Sequence, residues 1–204
     1  RMQANKDLLD KIGFNEDAYV LIWTTTPWTL PGNMGLFINP EFTYAKVKID
    51  GENFIIAKDL VEKVLVDEKH KPLDYQLVNL IDGADLIGLS YKPVVEEYAY
   101  NGEGSENAYK VWGADYVSLD GGTGIVHSAP AYGEEDFNFG KEYGIPVYHT
   151  LDEFGKYIDG RWQGEDVWQI NKQIAKTLKE EGKSHDEITA ILMERISELI
   201  EKEK

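Results

Sequence analysis

Cysteine is absent from the 204-residue chain, which excludes disulfide bonds, a cysteine-ligated zinc site and a thiol nucleophile. No apolar run reaches the roughly 18 residues that a membrane helix needs, and no basic-then-apolar leader opens the sequence. A soluble, cytoplasmic protein with no membrane partner is therefore expected. Positive charge is scarce, with 21 Lys and Arg against 37 Asp and Glu and a net charge of −16. Phosphate contacts come from clustered Lys and Arg, so this balance argues against autonomous, tight nucleic-acid binding. It fits a small-molecule enzyme, or a module of a larger RNA-binding machine, better than a free RNA-binding domain. The four histidines (His70, His127, His149 and His185) are scattered without ligand spacing such as HExxH, so no metal site is expected.

What is present suits one compact domain: 42% of residues are hydrophobic and 12% aromatic. Short β-rich runs at 18–24 (AYVLIWT), 35–39 (GLFIN), 44–49 (YAKVKI) and 53–57 (NFIIA) are separated by Pro, Gly, Asn and Asp. Asp50-Gly51 tolerates positive φ and predicts a tight hairpin between the third and fourth. Residues 58–65 are spaced helically, 101–107 (NGEGSEN) read as an exposed loop or hairpin tip, and 75–81, 85–90, 108–119 and 123–128 add further strand candidates. Many short strands favour a mainly β fold, a barrel or sandwich with peripheral α-helices. Toward the C-terminus Val167, Ile170, Ile174 and Leu178 share one helical face, with Gly182 as a stop. Ser184 and Glu187 then form a capping box, and Ile188, Ile191, Leu192, Arg195 and Leu199 continue an amphipathic second helix. Packing on the domain's own surface is the expected use of that stripe, and docking on another chain the alternative.

Two stretches carry unusual chemistry. In IWTTTPWTLPGN (22–33), threonines favour a strand that proline must end. In DGGTGIVHSAPAYGEEDF (120–137), a glycine-rich turn leads into a strand bearing His127, and Glu134, Glu135 and Asp136 then open a helix, where its dipole favours acidic groups. Each feature has an ordinary explanation. The threonines are good strand formers, His127 suits a hydrogen-bonded strand position, Asp136 suits a helix start, and Trp23 and Trp28 suit a core. The glycine-rich turn lacks the Lys and Ser/Thr of a phosphate loop.

In combination, the two stretches closely resemble the editing domain inserted into class I isoleucyl-tRNA synthetases. The run Thr24-Thr25-Thr26-Pro27-Trp28 is similar to isoleucyl enzymes, whereas valyl and leucyl relatives carry an arginine after two threonines. Supporting similarity runs through GADLIGLSYKP (83–93), GADYVSLDGGTG (113–124) and the region from 144 to about 182, so that residues 19–182 are covered. The resemblance implies the small β-barrel of the isoleucyl, valyl and leucyl editing domains over residues 1–182, with 183–204 a C-terminal amphipathic helix that does not match. No HIGH-type or KMSKS-type stretch occurs, so the chain cannot activate an amino acid as it stands; it reads as a separated or excised module.

The implied chemistry is proofreading of Val-tRNA(Ile), with Val-AMP as a further substrate. Valine differs from isoleucine by one methylene, worth only about 1–3 kcal/mol in an apolar pocket, a limit for which isoleucyl enzymes are the standard illustration. A second pocket that admits valine and excludes isoleucine adds a second filter. By resemblance, Thr24, Thr25 and Thr26 contact the ester or terminal ribose, Asn33 supports them, and Trp28 supplies a wall or adenine contact. Asp136 anchors the free α-ammonium, and His127 faces the side chain to exclude isoleucine rather than act as a general base. The ester is already activated, so a positioned water suffices and no cofactor, metal or covalent intermediate is expected. The expected partners are the aminoacylated 3′ end of tRNA(Ile) and, if the chain is not free-standing, the parent synthetase domains; the chain itself is expected to be a monomer. Two other readings compete. One is a non-catalytic remnant that binds an RNA end or a protein. The other is an aspartic-type hydrolase, suggested by Asp120-Gly121, which lacks a second matching Asp motif.

Overall fold

The computed structural model describes residues 18–67 and 69–181. The second C-terminal helix expected from Ser184, Glu187, Ile188, Ile191, Leu192, Arg195 and Leu199, with the stop at Gly182, lies outside the described residues.

The Asp50-Gly51 hairpin forms as its residues dictate: both adopt positive φ, 48° and 90°. It joins β3 (Thr43–Ile49) to β4 (Glu52–Ala57) in antiparallel register. β5 (Gln76–Asp82) pairs with β3 across a bulge between Lys46 and Val47, and β1 (Tyr19–Val20) runs parallel to β4. The first sheet thus has the order β1-β4-β3-β5. A second sheet, β6-β2-β7, places β2 (Gly35–Ile38) between parallel β6 (Lys110–Gly113) and antiparallel β7 (Ile125–Ser128). Central β2 is buried on both faces, as its uninterrupted apolar run GLFI requires. Leu36 and Ile38 join the apolar cluster of the first sheet, while Phe37 joins a second cluster with Met34, Val117 and Ile145.

The architecture is mixed, two small sheets with helices, and the described residues contain no closed barrel. This corrects the mainly β barrel expected from the sequence. Three expected strands fall short, each for a local reason. Gly83 and Ala84 donate to Phe42 O and Pro40 O at 2.8 and 3.2 Å, winding the chain into a helical turn, α2 (Gly83–Leu86), after the turn α1 (Val61–Val64). Residues 87–91 then run beside β6 with a single bridge, Ser90 to Lys110. Tyr109, at φ 56°, and the turn closed by Val117 N–H on Ala114 O confine the next strand to β6. The first run pairs with β4 only through Tyr19 and Val20, Leu21 adding one hydrogen bond to Ile55 O, and Trp23 then bridges Val126 in β7. Residues 19–23 therefore cross from one sheet to the other, and the threonines follow at that crossing.

Helix α3 (Glu134–Tyr143) follows β7 with three acidic residues in its first turn, and α4 (Val167–Glu180) begins at Asp166, whose side chain accepts the Trp168 N–H. Val167, Ile170, Ile174 and Leu178 are buried against Leu30, Tyr98, Tyr157 and Trp162. No helix among the described residues is long and apolar enough to cross a membrane.

Candidate active site

The strand expected to run to Pro27 stops at Val20, and Pro27 instead opens a 3₁₀ helix, Pro27–Gly32, with Pro27 in its first turn. Side chains three apart eclipse in a 3₁₀ helix, and the threonines here form a ladder. Thr24 Oγ1 accepts the Thr26 N–H at 3.1 Å; the Thr24 and Thr26 hydroxyls lie 3.3 Å apart and those of Thr26 and Thr29 3.4 Å apart. The Thr29 hydroxyl donates to Thr26 O at 2.8 Å. This spends its proton, so its oxygen serves as an acceptor.

His127, on β7, stands against that acceptor with Nε2 2.8 Å from Thr29 Oγ1. Its other nitrogen, Nδ1, lies 2.8 Å from the amide nitrogen of Asn33. The Asn33 side chain is held in one orientation. Its NH₂ faces the carbonyls of Gly35 and Ser128 at 3.0 and 3.2 Å, and its oxygen accepts the Tyr91 hydroxyl at 2.5 Å. An NH₂ against Nδ1 requires Nδ1 to be the acceptor, which places the imidazole proton on Nε2, donating to Thr29. Burial lowers the His127 pKa from 6.5 to about 4, so the ring is neutral at neutral pH.

The shift has a measurable consequence. The unfolded chain takes up the proton near pH 6.5 and the folded chain near pH 4, so acidification between these values favours unfolding. The effect is on the order of 2 kcal/mol, discounted for the ring's partial contact with solvent. His127→Gln is expected to lose less stability than the wild-type protein between about pH 7 and pH 4.5 in thermal melts. Equal losses would contradict the assignment. Asp136, whose raised pKa works in the opposite sense, is common to both proteins and cancels in the comparison.

Thr24, Thr25, Thr26, Thr29, His127 and Asp136 all open into one cavity of about 770 Å³, with Trp23 and Tyr116 also in its walls and the glycine turn 121–124 along its edge. Thr25 is exposed and Thr24 and Thr26 are half-buried. The Asp136 carboxylate accepts the Ala129 N–H at 3.0 Å, tying the first turn of α3 to the end of β7. Burial raises its pKa, against the opposing pull of the Ala129 N–H and the Ser128 hydroxyl, while the Glu135 charge adds to the rise. The phenol of Tyr116 is pushed up chiefly by burial, then by the charges of Asp136 and Glu135.

Two residues singled out from the sequence stand elsewhere. Asn33, 2% exposed, does not line the cavity and touches it only through His127. Trp28 also lies behind the wall. Its backbone N–H donates to Asn171 Oδ1 at 3.1 Å, its carbonyl accepts the Tyr157 hydroxyl at 2.7 Å, and its ring meets Tyr132 edge-on at 5.2 Å. Trp28 thus fastens α4 to the 3₁₀ helix and backs Tyr132, which does face the cavity. Sequence reasoning missed Thr29, Tyr91, Ser128 and Tyr132. The i, i+3 spacing of Thr26 and Thr29 could have revealed the first; Tyr91, 58 residues from Asn33, leaves no local signal.

Among the described residues no group of three or more His, Cys, Asp or Glu side chains gathers as a metal site. Residues 95–191 match a family model described as the leucyl-tRNA synthetase editing domain. The isoleucine–tRNA ligase of Methanocaldococcus jannaschii is 39% identical over 181 residues, which is 84% of this chain and 17% of the ligase. That of Pyrococcus furiosus is 45% identical over 175 residues, 82% of this chain and 16% of the ligase. The chain therefore spans about one-sixth of the length of these relatives. Among solved structures, GlLeuRS-CP1 is similar with a TM-score of 0.68 at 17% identity, covering 89% of this chain and 90% of that one. The Plasmodium falciparum cytosolic leucyl-tRNA synthetase editing domain has a TM-score of 0.61 at 14% identity, covering 89% and 85% respectively. These likenesses show a shared fold.

Proposed function

Because the chain belongs to the editing domains of class I aminoacyl-tRNA synthetases, with isoleucine–tRNA ligases as its homologues, we propose that it hydrolyses the ester of Val-tRNA(Ile) and spares Ile-tRNA(Ile). The observation that carries this reading is the convergence of the threonine ladder, a neutral His127 and the Asp136 carboxylate on one cavity. A carboxylate suits the free α-ammonium of an aminoacyl ester, and the hydroxyls of Thr24, Thr25 and Thr26 suit its carbonyl and the terminal ribose. His127 and Thr29 form a stiff wall, because both ring nitrogens of His127 are engaged. A neutral ring with neither nitrogen free is better suited to exclude a methylene than to take a proton. Water attack, aided by the free ribose hydroxyl of the tRNA end, needs only that the ester be held in place.

In this reading Asn33 positions His127, and Trp28 stiffens the wall through Tyr132. The net charge of −16 suits a module that grips the aminoacylated 3′ end of tRNA(Ile) while the rest of the ligase holds the tRNA body. Val-AMP fits the same recognition, since it presents the same ammonium and an adenosine. The test is deacylation of Val-tRNA(Ile) and Ile-tRNA(Ile) at high protein concentration, to offset weak tRNA binding. Valine release with isoleucine spared is expected, and His127→Ala is expected to raise the isoleucine rate by about 10-fold or more, the worth of one methylene. Equal rates on the two esters in the wild-type protein would overturn the assignment.

A further inference from the structure

Ser128 closes β7 directly after His127 and is fully buried, yet among the described residues its hydroxyl has no partner at good hydrogen-bond geometry. Buried hydroxyls are nearly always paired, because leaving one unpaired forfeits its hydration with no return. Its carbonyl is engaged twice, accepting the Met34 N–H at 2.9 Å and the Asn33 amide at 3.2 Å. The side chain is the part left over. The group within its electrostatic reach is the Asp136 carboxylate, whose Oδ2 already accepts the N–H of the next residue, Ala129. Gly133 also lies close to the same oxygen, where a Cβ would come to 2.9 Å from it. The carboxylate is thereby pinned at the end of β7, beside the unpaired hydroxyl.

We infer that Ser128 is a positioning residue for Asp136, its hydroxyl supplying a second hydrogen bond that holds the carboxylate charged and aimed into the cavity. The inference rests on the reading that Asp136 anchors the substrate ammonium. Ser128 itself does not line the cavity, so it acts on the substrate only through Asp136. A carboxylate taken out of water reverts toward its neutral acid unless donors face it, and a neutral acid loses most of its hold on an ammonium ion. Among the described residues, the titratable groups that face Asp136 are Glu135 on its own helix and Tyr116 from the segment after β6, and neither supplies a compensating positive charge. His127 opens into the same cavity but is neutral above about pH 4. The compensation therefore falls to the Ala129 N–H and the Ser128 hydroxyl.

The test is Ser128→Ala, read by NMR titration of the Asp136 carboxyl carbon in the intact chain and by the pH profile of ester hydrolysis. The midpoint for Asp136 is expected to rise by about one unit, and the acid limb of kcat/KM to move up with it. This gives about a tenfold loss at pH values below both midpoints. A merely orphaned hydroxyl would leave the midpoint where it is and leave the melting temperature unchanged or higher. An unmoved midpoint overturns the proposal. Ser128→Cys, which keeps a side chain of similar shape but donates weakly, is expected to give an intermediate midpoint, and it decides the matter in the same way should the alanine variant not fold. The titration needs no substrate. If the wild-type protein hydrolyses neither ester, the editing reading fails while the link between Ser128 and Asp136 is still decided.

Discussion

Asp136→Ala is expected to lower kcat/KM for Val-tRNA(Ile) hydrolysis by about 10- to 150-fold, the worth of a charge-assisted hydrogen bond of roughly 1.5–3 kcal/mol to the substrate ammonium. The alanine variant also removes the acceptor for the Ala129 N–H, so it mixes a loss of anchoring with a loosening of the join between β7 and α3. Asp136→Asn separates the two effects, because its amide oxygen still accepts that N–H while the charge is gone. Both variants are expected to lose activity to a similar extent, with the asparagine protein melting close to the wild type. Full activity in Asp136→Asn would show that the carboxylate's charge does not hold the substrate. Activity retained in both would remove Asp136 from the site.

The largest effect on stability is expected at Gly124, in the turn that edges the cavity. Its φ is +71°, which L side chains rarely adopt, and a Cβ there would lie 2.4 Å from the Cβ of Ala57. The turn cannot simply move away. The Ala57 N–H donates to Thr123 O at 3.0 Å, and the buried Tyr44 hydroxyl donates to Gly124 O at 2.8 Å. Backbone strain and overpacking each cost about 1–3 kcal/mol, so Gly124→Ala is expected to destabilise the fold by about 2–5 kcal/mol. In a chain of this size that lowers the melting temperature by about 5–20 °C. Gly121→Ala is the matched control in the same turn: nothing lies within 4 Å of a Cβ there, and the change is expected to stay within about 0.5 kcal/mol. Equal melting temperatures for the two variants would show that the turn is not pinned against β4.

The elements legible in the sequence were those whose cause is local. Asp50-Gly51 makes its hairpin because both residues accept positive φ, and α4 forms where Val167, Ile170, Ile174 and Leu178 need one buried face. The run GLFI forms a strand buried on both faces because every position is apolar or small. The absence of the expected barrel was not legible, since strand-like composition at 85–90 and 108–119 says nothing of the hydrogen bonds to Pro40, Phe42 and Ala114 that turn the chain there. In the candidate site, the motif supplied the threonines, His127 and Asp136, all of which reach the cavity. It could not separate residues that face the cavity from those that stand behind it, and Asn33 and Trp28 stand behind.

The sequence by itself determined the kind of chemistry available: three threonine hydroxyls before a proline, a histidine with the Glu134, Glu135 and Asp136 carboxylates within nine residues of it, and no thiol. Composition and short-range spacing are enough for that, because they fix which donors and acceptors exist and which local turns the backbone tolerates. Only the tertiary structure decided how those groups are poised. The proton of His127 sits on Nε2 because Asn33, itself fixed by Gly35, Tyr91 and Ser128, presents an NH₂ to Nδ1. Burial by elements distant in sequence keeps that ring neutral and raises the pKa of Asp136. Desolvation and hydrogen-bond direction depend on which groups the fold brings together, and residues dozens of positions apart carry no mark of that meeting in their order along the chain.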